Sequence, residues 1–202
     1  MILSRLAPVT LPTKFGPFTA IGYEVEGRSE PEVALLFGEV GDGVDLLVRL
    51  HSECLTGDAL GSLRCDCGAQ RDFAMEAIAA EGRGLFLYLR QEGRGIGLAN
   101  KLRAYALQDA GRDTVDANLA LGLPEDQRDY ELAASILADL GVKSVRLLTN
   151  NPTKIAGLEA AGIAVLQRIS ALTTETVSNE RYLRTKRERM GHHGPEILPQ
   201  GR

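Results

Sequence analysis

All three cysteines of this 202-residue chain fall in one short stretch, "HSECLTGDALGSLRCDCGAQ" over 51–70, at positions 54, 65 and 67. No other feature constrains the fold as much, because three thiols spaced along the chain are asked to meet. Three cysteines cannot all pair, and C-x-C is too short for an unstrained disulfide. Small buried hydrophobes are the plain alternative. That alternative fits poorly, since Cys65 and Cys67 flank Asp66 beside Arg64, Gly68 and Gln70, a polar, turn-like setting. Thiolates select zinc over magnesium or calcium. Structural zinc sites are closed by four protein ligands, whereas catalytic sites use three and leave a corner for water. Cys54, Cys65 and Cys67 match the open kind, so one Zn2+ per subunit with water as fourth ligand is expected. His51 is the nearest residue able to supply a fourth protein ligand.

Composition narrows the class. Hydrophobic residues make up 44% and charged residues 25%, ordinary values for a globular protein long enough to bury a core unaided. A net charge of −4 gives no global basic field for nucleic acid or anionic membrane. No apolar run reaches membrane-spanning length, and the N-terminal "MILSRLAPVTLPTKFG" lacks the apolar region and cleavage site of a signal peptide. A cytoplasmic protein with neither membrane nor nucleic-acid partner is expected.

The first half is strand-rich. "FTAIGYEVE" (18–26), "EVALLFGEV" (32–40) and "VDLLVRLH" (44–51) are short apolar, β-branched runs separated by turn signals, and the third leads into the cysteine segment. "QRDFAMEAIAAEG" (70–82) has helical spacing at Phe73, Ala77 and Ile78, and "GLFLYLRQ" (84–91) reads as a buried strand. In "EGRGIGLANKLRAYALQDAG" (92–111) a glycine loop opens a helix whose apolar face is marked by Leu98, Leu102 and Tyr105. Strand, glycine loop and helix together aim backbone N–H groups at an anion, and Arg94 can add a bidentate grip on phosphate.

Further on, 131–141 reads as a helix capped by Gly141, 142–150 as a strand, 151–162 as a helix with Asn151 as N-cap and Pro152 first, and 163–169 as a strand. Such units predict parallel pairing, with ligands at the C-terminal strand ends, where Thr149 and Lys154 sit. The charged stretch after 179 reads as a solvated helix face, and His192 and His193 as exposed. The fold class is therefore α/β of mixed α+β character: a strand-rich N-terminal part with a mixed sheet, then βαβ units with flanking helices. One domain over 1–193 and a disordered tail over 194–202 are expected.

Four segments then carry a specific resemblance: "RLHSECLTGDALGSLRCDCGAQ" (49–70), "RQEGRGIGLANKLRAYALQDAG" (90–111), "DTVDANLALG" (113–122) and "RLLTNNPTKI" (146–155). Together the chain resembles the GTP cyclohydrolase II family of riboflavin biosynthesis from about residue 3 to about 193. The resemblance implies that GTP loses pyrophosphate, that the guanine imidazole ring is opened by water, and that C8 leaves as formate. It implies zinc on Cys54, Cys65 and Cys67, Mg2+ with the triphosphate, and a homodimer. Substrate contacts are implied at Arg49, Leu50, His51, Ser52, Glu53 and Gln70. Others fall on Glu92, Gly93, Arg94, Thr114, Thr149 and Lys154. Asp126, Arg128 and Tyr105 are implied as catalytic, with Arg128 as nucleophile toward phosphorus and Asp126 taking its proton. A guanidinium with a pKa above about 12 is a poor nucleophile, and a charge clamp on the phosphates explains the same residue.

No dihydroxybutanone phosphate synthase half precedes these segments, so a monofunctional enzyme is expected. The stretch 169–183 departs from the family's usual proline-bearing pattern and leaves room for a paralogue with an altered substrate or product. Intact Tyr105, Asp126, Arg128 and cysteines weigh against that. A non-catalytic zinc module and a redox dithiol protein are the other readings. The missing fourth thiol and aromatic platform oppose the first, and C-x-C in place of C-x-x-C opposes the second.

Overall fold

The computed structural model describes residues 1–124, 126–171 and 173–194, with only the backbone described at Thr114 and Arg181. The chain begins on the edge of a sheet. Strands β1 (Ile2–Arg5) and β2 (Val9–Thr13) both pair antiparallel with β3 (Gly16–Val25), which pairs antiparallel with β4 (Glu32–Phe37). The sequence reading placed no strand before residue 18. β2 is almost wholly exposed and carries Pro12, as an edge strand can, so burial imposes no alternation to read.

Next come β5 (Leu46–Ser52), the short helix α1 (Leu55–Asp58), α2 (Cys67–Glu81) and β6 (Gly84–Leu89). A tight turn at Glu92–Gly95 leads into α3 (Gly97–Asp109) and α4 (Thr114–Ala120). The chain closes with α5 (Glu131–Asp139), β7 (Ser144–Leu148), α6 (Pro152–Ala160), β8 (Ala164–Ile169) and α7 (Glu180–Met190). Strand order is β1-β3-β4-β6-β5-β7-β8, with β2 also on β3. β4 meets β6 antiparallel, and β6, β5, β7 and β8 run parallel. The mixed α/β class is therefore as expected. Among the described residues no helix is long and apolar enough to cross a membrane.

Each face of the sheet buries its own core. Leu46, Val48 and Leu50 of β5, with Leu85, Leu87 and Leu89 of β6, pack against Ile136 and Leu137 of α5 and Leu158 of α6. The other face sets Leu47 and Phe86 against Ala74, Met75 and Ile78 of α2. Burial of one such side chain contributes about 1.5–3 kcal/mol. The period of two along β5 therefore turns Arg49 and His51 toward α2. Caps fix the later helices: the Asn151 side chain accepts from Thr153 N at 2.9 Å, with Pro152 as first helical residue. Gly141 follows α5 with φ 79.

Two helices differ from expectation. α2 starts at Cys67 rather than 70. In α3 the inward face carries Lys101 and Ala104, while Leu102 is 50% exposed. Hydrophobicity misplaced that face because a charged group takes the inward position.

Candidate functional site

The C-terminal ends of β5, β6 and β7 open into one cleft. Cys54 follows β5, and Cys65 and Cys67 lead into α2, so the chain between them folds back through α1 to bring the thiols together. Their sulfurs lie within 4.8 Å of one another, with Cys54 and Cys65 3.7 Å apart. Tetrahedral coordination with bonds of ~2.3 Å requires sulfurs ~3.8 Å apart, so the set fits zinc. Gly57 makes room for it: a Cβ there would come 2.8 Å from Cys65 Sγ and 3.2 Å from Cys54 Sγ. Hydrogen bonds from Cys65 and Cys67, then Lys101 Nζ at 3.0 Å, draw the Cys54 thiol far down. Hydrogen bonding to Cys54 and burial push the other two up, Cys65 to about 11. One positive neighbour thus supports one thiolate, and a divalent cation would support three. His51 does not join the cluster, because its Nε2 lies 3.0 and 3.1 Å from the Asp58 oxygens.

Three buried carboxylates brace this cluster. Asp58 also accepts from Cys54 N at 2.9 Å and Tyr88 Oη at 3.0 Å, and the Asp58 carbonyl accepts from Arg71. Glu92 accepts from Leu55 N at 2.7 Å, Gly93 N at 2.8 Å and Lys101 Nζ at 2.8 Å. Asp66, between two thiols, accepts from Lys186 Nζ at 2.8 Å and Gln70 Nε2 at 2.5 Å. Burial would raise the Asp66 carboxyl, but the charge and hydrogen bond of Lys186 outweigh it and hold it below the usual range.

The same cleft is also lined by cations. Arg94 sits in left-handed backbone (φ 65, ψ 34), a conformation rare outside glycine and associated with functional sites. Its two Nη atoms are buried without a partner. Lys154 is buried and donates to Leu50 O at 2.6 Å; burial, then Arg49 and Arg128, push it well below an ordinary lysine. Arg128 Nε lies 2.9 and 3.1 Å from the Asp126 oxygens. Despite burial, Asp126 keeps Arg128 above the usual range and is itself held low by it. Among the described residues seven buried side-chain nitrogen or oxygen atoms lack a partner, and five of them line this cleft, on Arg49, His51, Arg94 and His192.

Of the residues named from sequence, Arg49, His51, Ser52, Glu53, Gln70 and Tyr105 all line the cleft, as do Glu92, Gly93, Arg94, Arg128, Thr149 and Lys154. Several are already engaged: Arg49 donates to Gln70 Oε1 at 2.5 Å and Leu148 O at 2.8 Å, and Arg90 pairs with Glu53 at 2.8 Å. Leu50 turns its side chain into the core on the opposite face, leaving its carbonyl to Lys154. Asp126 lines a separate groove, with Arg128 reaching both. The Thr114 side chain and residues 195–202 lie outside the described residues.

Sequence reasoning missed Lys101, Tyr182, Lys186 and His192, all cleft-lining. The reading of α7 as a solvated face and of His192 as exposed is corrected here. Tyr182, Lys186 and Met190 recur every fourth residue on one face of α7 and point into the cleft, a spacing obscured by the surrounding charges.

Fold and site together define an α/β protein with a three-thiol cluster in a cation-lined cleft. The family model described as GTP cyclohydrolase II matches residues 4–170. "Riboflavin biosynthesis protein RibBA" of Salinispora tropica is 61% identical over 188 residues, 93% of this chain and 47% of that protein. The RibBA of Nocardia farcinica is 58% identical over 189 residues, again 93% of this chain and 46% of that protein. The chain thus spans about half the length of these relatives. "GTP cyclohydrolase-2" of Neisseria gonorrhoeae is 57% identical over 191 residues, covering 95% of this chain and 96% of that protein. The chain belongs to the GTP cyclohydrolase II family.

Proposed function

We propose that this protein hydrolyses GTP with release of pyrophosphate and formate, giving 2,5-diamino-6-(5-phosphoribosylamino)pyrimidin-4(3H)-one, a step of riboflavin biosynthesis. The observation that carries this reading is one cleft lined both by three thiols that fit zinc and by unpartnered cationic nitrogens. Zinc on Cys54, Cys65 and Cys67 would supply Lewis acidity and water activated near neutral pH. The remaining chemistry belongs to side chains. Burial raises the Tyr105 hydroxyl, so it keeps its proton and can deliver it to a ring nitrogen. Arg94, Arg128 and Lys154 hold the phosphates, with Mg2+ entering alongside the triphosphate. Arg128 is read as a clamp: Asp126 already stabilises its charged form, and a charged guanidinium has no free lone pair with which to attack phosphorus. The same reading includes a homodimer in the cytoplasm and a single domain over 1–193.

The test is an incubation of purified protein with GTP and Mg2+, assayed separately for formate and pyrophosphate, beside Cys65→Ser and Arg128→Lys. Wild type should release both products, Cys65→Ser should lose formate, and Arg128→Lys should keep part of the pyrophosphate release. Neither product from wild type overturns the reading.

A further inference from the structure

The C-terminal segment lies beyond the residues matched by the family model, yet it forms one wall of the cleft. Contacts to other elements and a turn within the segment set it there. Lys186 pairs with Asp66 at 2.8 Å inside the cysteine loop. His192 N donates to Lys186 O at 3.1 Å, where Gly191 (φ 63) turns the chain back at the end of α7. His193 N donates to Asn150 O at 2.9 Å, in the loop after β7. This turn sets the His192 ring against the cleft with Nε2 buried and without a partner.

A buried polar atom left unmatched is destabilising, so it needs either a compensating role or a ligand. The neighbours indicate the ligand's chemistry. The charges acting most on His192 come from Lys186 of α7, Arg128 ahead of α5, Lys154 of α6 and Arg94 of the glycine turn, and all are positive. Arg94 contributes two further buried nitrogens without partners. A ligand carrying several anionic oxygens would satisfy the His192 donor and the Arg94 charge together, whereas a neutral base or sugar would leave the Arg94 charge unmatched.

We infer that His192 contacts the phosphate chain of the nucleotide, donating from Nε2, and that residues 182–192 complete the phosphate-binding part of the site. This rests on the GTP reading for the identity of the nucleotide, but the polyphosphate contact itself can be measured without turnover. Neutral imidazole with its proton on Nε2 is a sufficient donor, so the contact needs no change of charge. His192 is thus a binding residue, with no part assigned to it in ring opening.

The experiment uses the full chain with its metal, as wild type, His192→Ala and His192→Gln. Calorimetric titration with inorganic tripolyphosphate and with guanosine is run beside steady-state kinetics with GTP. In His192→Ala, tripolyphosphate affinity should fall and the KM for GTP rise, each by about tenfold, the value of a hydrogen bond to a charged group. Guanosine affinity and kcat should stay within about twofold on the same scale. Glutamine keeps an N–H donor and should recover part of the loss, which a purely structural role would not allow when both variants melt alike. Equal loss for guanosine and tripolyphosphate, or no loss for either, overturns the inference. A wild type that binds tripolyphosphate through His192 but leaves GTP intact upholds the inference and sinks the GTP reading.

Discussion

Within one cleft, the carboxylates beside the cysteines gather donors from several elements, whereas Arg94 and His192 keep buried nitrogens without a partner. Asp58, Glu92 and Asp66 each gather two or more donors from separate elements. Arg94 and His192 end in buried nitrogens with no partner among the described residues, and Lys154 donates to a backbone carbonyl with no carboxylate paired to it among those residues. A charge paired inside the fold is already stabilised and can hold neighbouring atoms in place. A charge left unpaired stores free energy that only a ligand of opposite sign releases. The paired groups thus serve as a scaffold, and the unpaired ones are poised to receive a ligand.

The largest effect should come from breaking the scaffold. Lys186→Met strips Asp66 of its cation while both are buried, at 13% and 3% exposure. Loss of one partner of a buried pair costs about 3–5 kcal/mol, or roughly 10 °C in melting temperature for a chain of this size. Adding Asp66→Asn should return most of it, and a thermal melt of single and double variants decides. Additive losses would mean the pair is not coupled.

Next in size is Gly57→Ala. The new Cβ would sit among the three thiols, so zinc affinity should weaken by about 10–100-fold, the range seen for changes beside metal ligands. Competition with a chromophoric chelator reads this directly, and unchanged affinity would show that the helix carrying Gly57 can shift.

Among the unpaired groups the sign of the stability effect reverses. Arg94→Met should raise the KM for GTP about tenfold or more, yet leave the melting temperature unchanged or higher, because the arginine nitrogens are unmatched in the free protein. A large drop in melting temperature would place Arg94 with the scaffold.

The smallest effect is a pH slope. Burial, then Lys186, Arg128, Lys154 and Arg94, hold His192 down to about 3, whereas an unfolded histidine titrates near 6.5. Between those values the unfolded chain binds a proton that the folded chain refuses. Stability should therefore fall as pH drops below about 6.5, by at most ~1.4 kcal/mol per pH unit from this residue. His51, buried beside Asp58, acts in the same direction and remains in both proteins. Denaturant melts of wild type and His192→Gln from pH 7 to 5 should therefore show a shallower slope for the variant, and identical slopes would mean that the surrounding cations do not hold this ring neutral.

The sequence alone carried the interior of this protein well. β4, β5, β6 and α6 lie where apolar runs, turn residues and the Asn151–Pro152 start placed them, because each signal acts within a few residues. The three cysteines were legible as one cluster for the same reason: their spacing and polar neighbours leave few other uses. Tertiary structure alone decided the inward turn of Lys101 where Leu102 was expected, the return of α7 over the cleft, and the seat of His192. Those outcomes depend on which charges end up facing each other across long stretches of chain, as Asp66 and Lys186 do at a separation of 120 residues. Local propensity carries no record of such partners, and a lysine that will be buried reads, residue by residue, like one that will be solvated.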